Sequence, residues 1–345
     1  MKKRILLTGA SGAVGIQTLM ELVKHTDTYE ITAFDLENKQ SKKKLQSFAK
    51  DVRLVFGDIT QIKDLEKVSN KQDFVIHLAA VIPPLADEKP VLAEAVNVGG
   101  TKKLLAALKE NSPHAFFLYS SSISIYGDRV KNPMIKVGDS LQPSVGDEYA
   151  ITKISGENAV RDSGLRWTIF RFTGIMQPSP GNMDPLMFHM PLNTSFEIAT
   201  ARDTGYALVQ AIAHETELEG RIFNLSGGEK CRIIYRDFIN KSFELSGLGK
   251  SPFPDEAFAT ANFHCGFYAD NMELENILHF QRDSIEDYFR VFKQNTKTAV
   301  KLIAQLLRPL IIKKMLKLSD PLNAKRTNNK ELMARFNPEL LERSS

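Results

Sequence analysis

The chain has 345 residues, enough for one large or two smaller domains with a sizeable core. A hydrophobic share of 43% beside 25% charged residues is that of a water-soluble globular protein and excludes a disordered or fibrous chain. Cys231 and Cys265 stand far apart and form no CxxC pair, so reduced thiols are expected, with neither disulfide staples nor a metal site. No secretory leader and no run of 18 apolar residues is evident, so the expected location is the cytoplasm. The net charge of +4 is uneven. No acid lies between Asp287 and Asp320, a stretch with eight lysines and arginines, so the other residues carry a net −4.

In chain order, Ile5, Leu6 and Leu7 read as a buried strand. They feed a glycine-spaced loop, Gly9, Ser11, Gly12, Ala13, Val14 and Gly15, and residues 17–25 then show helical periodicity. Glycines there permit a tight turn, close approach of backbone N–H groups to a pyrophosphate, and close helix–strand packing. The helix N-terminus adds unpaired N–H groups and partial positive charge. A strand over 30–34 ends at Asp35, twenty residues beyond Gly15, where a carboxylate would accept hydrogen bonds from ribose hydroxyls and repel a 2′-phosphate. NAD is thereby favoured; Lys39, Lys42, Lys43 and Lys44 keep NADP open.

The next strand, 52–56, leads to Asp58 and Ile59. Asp58 is placed either at the adenine or as a helix N-cap. Residues 73–80 form an apolar strand in which His77 reads as a core histidine, and after Leu78 the small Ala79 and Ala80 leave room for a flat cofactor. A helix over 91–109 carries Asn97. A strand over 115–119 ends in Ser120, Ser121 and Ser122. This β-α-β alternation specifies an α/β fold: a Rossmann-type, doubly wound parallel sheet. Further strands are expected at 167–172 and 222–225. The expected organisation is a dinucleotide domain over 1–175 with parts of 200–228, a smaller C-terminal substrate lobe over 176–200 and 229–290, and a basic helical tail over 291–345.

Tyr149 and Lys153 are spaced i, i+4 and so share one face of a helix. A tyrosine titrates near 10 in water. An ammonium one turn away and an oxidised nicotinamide nearby would favour the phenolate and make it a base; the lysine can also bind the nicotinamide ribose. A serine at a strand end then holds the substrate oxygen. The pair gains weight from lying 27 residues after Ser122 in a chain that opens with a dinucleotide loop.

With the 8–15 loop, Asp35, residues 57–59, residues 77–80, residues 97–101, the stretch 120–127, Tyr149 and Lys153 in this order, the chain resembles the extended short-chain dehydrogenase/reductases, in the NAD-dependent epimerase/dehydratase group. The resemblance implies an NAD(P)-dependent enzyme with Ser122, Tyr149 and Lys153 catalytic and Ser121 and Ser124 as fallbacks. It implies Thr173 and Ile175 beside the nicotinamide carboxamide, and a homodimer. Ile123 and Ser124 stand where sugar dehydratases of the family carry an acidic pair. The 29 residues from Gly174 to Asp203 are short for a nucleotide-sugar site and bring no lysine or arginine before Arg202. Met183, Met187, Phe188, Met190 and Phe196 instead suggest an apolar pocket or plain core. The expected activity is hydride transfer at a secondary alcohol or ketone on a hydrophobic small molecule. Alternatives are a nucleotide-sugar epimerase with retained NAD, and a dinucleotide-binding sensor or assembly protein without turnover.

Residues 296–318 combine helically spaced apolar positions with lysines, and Pro309 marks a kink. Peripheral contact with an anionic membrane competes with packing on the body or on a second subunit. Nucleic-acid binding is not expected, for lack of an aromatic platform. Residues 324–345 are polar and expected to be mobile.

Overall fold

The computed structural model describes residues 1–178 and 185–342. Its strands are β1 (Lys3–Thr8), β2 (Tyr29–Asp35), β3 (Arg53–Phe56), β4 (Phe74–His77), β5 (Phe116–Ser122) and β6 (Met134–Ile135), then β7 (Arg166–Phe172), β8 (Gly174–Met176), β9 (Ser195–Thr200), β10 (Arg221–Leu225), β11 (Arg232–Ile234) and β12 (Phe267–Tyr268). Seven of them form one parallel sheet, in the order β10-β7-β5-β4-β1-β2-β3. The order reverses between β1 and β4, and a crevice at the carboxyl ends of these strands is where such sheets bind ligands.

Strand alternation divides the core. Ile5, Leu7, Phe74, Ile76, Phe116 and Leu118 face the helix Ala13–Leu22 and the helix Ala201–Gln210. Leu6, Val75, Phe117 and Tyr119 face the opposite layer, with Leu104, Leu108 and Val160. Both faces are covered, which is why these strands read as continuous apolar runs. The helix expected over 91–109 is broken. Pro90–Ala93 leads into a π-helical turn, Glu94–Gly100, before Thr101–Asn111. The wide turn contains Asn97, whose side chain serves the site described below.

The C-terminal lobe carries the three-stranded sheet β11-β9-β8 and a separate core of rings. Phe188 lies between Phe253 and Phe258 at centroid distances of 5.2 and 5.3 Å, and Phe196 meets Phe238 edge-on at 5.3 Å. The last helices differ from expectation. Instead of a mobile polar end, Asp320–Thr327 and Lys330–Phe336 pack on this lobe, burying Ala324, Met333 and Phe336. Ser319 Oγ donates to the Ala257 carbonyl at 2.6 Å, Thr260 N donates to the Phe336 carbonyl at 2.8 Å, and His189 stacks on Phe336 at 4.5 Å. A few apolar positions amid polar sequence suffice, because each meets an aromatic surface already formed.

Candidate active site

The glycine loop leaves β1 through Gly9, whose φ is +69°; a Cβ there would stand 2.7 Å from the Ala79 backbone nitrogen. Only glycine combines that torsion with so close an approach. Gly12 caps the helix Ala13–Leu22, whose first turn contains no acid, so its N–H groups are free for an anion. Val14 is half-buried against the sheet core, and Gly15 is buried where the helix meets the loop. Asp35, half-buried at the end of β2, accepts from Ser11 N at 2.6 Å through one oxygen, and from Leu36 N at 2.8 Å and Ser41 Oγ at 3.3 Å through the other. Lys44 Nζ donates to the Ser11 carbonyl at 3.1 Å, so one of the four nearby lysines does reach the loop. Ser41 was not singled out in sequence; its place three residues before Lys44 on one short helix was the available signal. A cleft of about 530 Å³ runs from Ser11, Gly12 and Ala13 past Lys44 to Arg202 and Asn295.

Asp58 is not a helix N-cap. Gln61 holds that position, and Asp58 Oδ1 accepts from Thr60 N and Thr60 Oγ1, both at 2.8 Å. Ile59 is buried, against Gly100. Leu78, Ala79 and Ala80 remain partly exposed at the end of β4. Asn97 differs from its expected cofactor role. Its oxygen accepts from Val81 N at 2.7 Å, and its amide donates to the Val81 carbonyl at 2.9 Å and Thr152 Oγ1 at 3.0 Å. The side chain is spent on fixing the β4 loop to the helix that carries Tyr149. Thr173 likewise gives its hydroxyl to the Glu197 carbonyl, and Ile175 packs against the sheet core.

The helix Glu148–Arg161 carries Tyr149 and Lys153. Asp147 caps it by accepting from Ala150 N at 2.9 Å and approaches His264 Nδ1 at 3.3 Å. The helix lies close to β5 because Gly156 faces the Tyr119 ring, where any Cβ would collide. Ser122, the last residue of β5, hydrogen-bonds Tyr149. Ser124 Oγ donates to Ser122 Oγ at 3.0 Å, so the hydroxyls run Ser124, Ser122, Tyr149. Alternation along β5 turns Ser121 to the other face; its hydroxyl is buried with no partner among the described residues.

Lys153 is buried. Its ammonium donates to the Ser120 carbonyl at 2.7 Å and stands 5.5 Å from the Tyr149 ring centroid. Burial lowers its pKa to about 7, with Glu157 one turn on opposing. The Tyr149 phenol is raised above its ordinary value, first by burial and then by the charge of Asp147; only the Ser122 hydrogen bond opposes. This corrects the expectation that Lys153 alone would lower the phenol: a dehydrated lysine is a weak source of charge. His77, bonded to Thr8 Oγ1 at 2.7 Å and Thr101 Oγ1 at 2.8 Å, is pushed by burial down to about 3 and is a neutral core residue. Sequence reasoning missed Glu157, which binds Arg171 through two contacts of 2.9 and 2.8 Å. Its spacing of i+4 from Lys153 was the signal.

The profile of the NAD-dependent epimerase/dehydratase family matches residues 5–191, more than half of the chain. The chain belongs to that family. An uncharacterised epimerase/dehydratase of Staphylococcus aureus is 26% identical over 193 residues, covering 53% of this chain and 57% of the relative. The chain thus spans about half the length of the curated relatives it matches. In fold it is similar to a UDP-glucuronic acid 4-epimerase from Bacillus cereus solved with NAD, with a TM-score of 0.71, 19% identity, and coverage of 87% of this chain and 99% of that one. A short-chain dehydrogenase/reductase from Agrobacterium tumefaciens with bound NAD gives a TM-score of 0.65 at 20% identity, covering 88% and 99%. The cofactor of the family is NAD, and the Gly9 turn, open helix N-terminus and Asp35 described above suit it. Phe188 and Met187, the apolar residues expected at the substrate, fall differently. Phe188 is fully buried in the lobe core and Met187 packs against that core, so Phe188 offers no substrate surface; Met183 lies outside the described residues.

Proposed function

We propose that the protein is an NAD-dependent oxidoreductase that interconverts a secondary alcohol and a ketone, with Tyr149 as acid–base group. The supporting observation is the hydroxyl chain ending at Tyr149, beside buried Lys153 at the carboxyl end of β5. When bound, NAD accepts the hydride and adds positive charge beside the phenol. In oxidation, Tyr149 takes the substrate hydroxyl proton while the carbon–hydrogen pair leaves as hydride; in reduction Tyr149 returns the proton. Ser122 holds the substrate oxygen, and Ser124 fixes the direction of the Ser122 hydroxyl. Lys153 holds the nicotinamide ribose.

A substrate without a diphosphate fits the lobe better than a nucleotide sugar. Arg202 and Arg232 are each engaged with a carboxylate, Asp283 and Glu197, and residues 175–201 supply no lysine or arginine. The second reading, an epimerase that retains NAD, is favoured by the fold likeness to the UDP-glucuronic acid 4-epimerase. A thermal-shift series with NAD, NADP, UDP-sugars and apolar ketones separates the two. Stabilisation by NAD and a ketone with none by UDP supports the first reading. Stabilisation by UDP-sugars, with NAD that does not exchange, replaces it by the second.

A further inference from the structure

The stretch expected as one kinked helix over 296–318 is a hairpin. Thr298–Leu306 ends at Leu307, and Arg308–Leu316 begins with Pro309 in its first turn, where proline is tolerated. The hairpin is fixed to the lobe. Arg308 Nε donates to the Leu248 carbonyl at 2.8 Å, and Met315 is buried in the aromatic core. Ala304 is the only buried residue of the first helix. At 100° per residue, Ala299, Leu302, Ile303 and Leu306 form one stripe on the side away from Ala304. A surface helix ordinarily turns such a stripe inward; here Leu302 is 60%, Ile303 56% and Leu306 81% exposed, and Leu310 continues the patch at 65%.

Cations surround the patch: Lys297, Lys301, Arg308, Lys313, Lys314 and Lys317. Among the described residues none of these forms an ion pair. We propose that this hairpin is a docking surface for an anionic lipid bilayer, with the leucines and Ile303 entering the headgroup boundary and the cations meeting lipid phosphates. A second copy of the chain is a poorer occupant. A two-fold contact sets the same patch against itself, bringing these cations together with no acid between Asp287 and Asp320 to separate them. The hairpin follows directly on the helix Ile285–Asn295, whose Asn295 donates to the Pro178 carbonyl beside the cofactor cleft, so docking would hold the substrate lobe at the lipid surface. No helix among the described residues is long and apolar enough to cross a membrane.

The test is flotation of the full-length protein with vesicles of phosphatidylcholine alone or with phosphatidylglycerol added. Its readout needs no substrate and is independent of the proposed reaction. Binding is expected only to the anionic vesicles and weakens with salt. Lys313→Gln with Lys314→Gln lowers the partition coefficient about thirtyfold. Leu302→Ser with Leu306→Ser lowers it by about tenfold or more, with unchanged circular dichroism. Absence of binding to anionic vesicles overturns the proposal. So does binding that survives the two serine substitutions, or a dimer in light scattering that those substitutions dissociate.

Discussion

At the carboxyl ends of β4 and β5 the protein buries polar groups, each given a partner: His77 to Thr8 and Thr101, Ser120 to the His77 carbonyl, Lys153 to the Ser120 carbonyl, Asn97 to Val81 and Thr152. The C-terminal lobe buries rings instead: Phe188, Phe196, Phe238, Phe253, Phe258 and Phe292 against one another. A buried polar group costs free energy unless its hydrogen bonds are made, so direction matters at each position of the first region. Burial of rings is nearly non-directional, and chain segments remote in sequence can join the second region as long as they bring apolar area. That is how the final helices come to be seated on the lobe.

The comparison can be broken at either end. Tyr149→Phe removes one oxygen from the polar region and leaves the packing unchanged. It is expected to lower kcat by about 10²–10⁴-fold while NAD still raises the melting temperature; near-normal turnover would remove Tyr149 from the chemistry. In the aromatic region Phe188→Ala is expected to cost about 3–5 kcal/mol in urea unfolding. If it instead left stability unchanged and raised KM, Phe188 would belong to a substrate surface.

A pH series sharpens the contrast further. The folded state holds the Lys153 pKa near 7, against an ordinary 10.5. Between those values the unfolded chain binds more protons, so this lysine makes stability rise with pH, with a slope approaching about 1.4 kcal/mol per unit. The window runs from pH 7 to the onset of tyrosine titration near 10. Comparison of urea unfolding across this range should show that slope in wild type and a flatter one in Lys153→Met; equal slopes would mean that Lys153 is solvated. The smallest expected effect is that of Ser124→Ala, which removes one hydrogen bond behind Ser122 and should reduce kcat about tenfold with unchanged KM. A rise in KM alone would make Ser124 a substrate contact instead.

Much of the first region was legible in the residues themselves. Gly9, Gly12 and Gly15 mark a turn that other residues resist, Asp35 lies one strand further on, and the spacing of Tyr149 and Lys153 puts them on one helical face. The choice among three serines was not local. The end of β5 and its alternation turn Ser122 to Tyr149 and Ser121 away. Glu157 and Arg171 were equally hidden as a pair, because β7 brings them together from 14 residues apart.

Sequence alone determined the parallel sheet, its order of elements and the dinucleotide cradle, because strand alternation, helical period and glycine torsions act over a few residues. Tertiary structure decided which phenylalanines are core, where the last helices rest, and how far burial moves Lys153 and Tyr149 from their ordinary ionisation. Those outcomes depend on what surrounds each side chain in three dimensions, and desolvation has no signature in the order of residues.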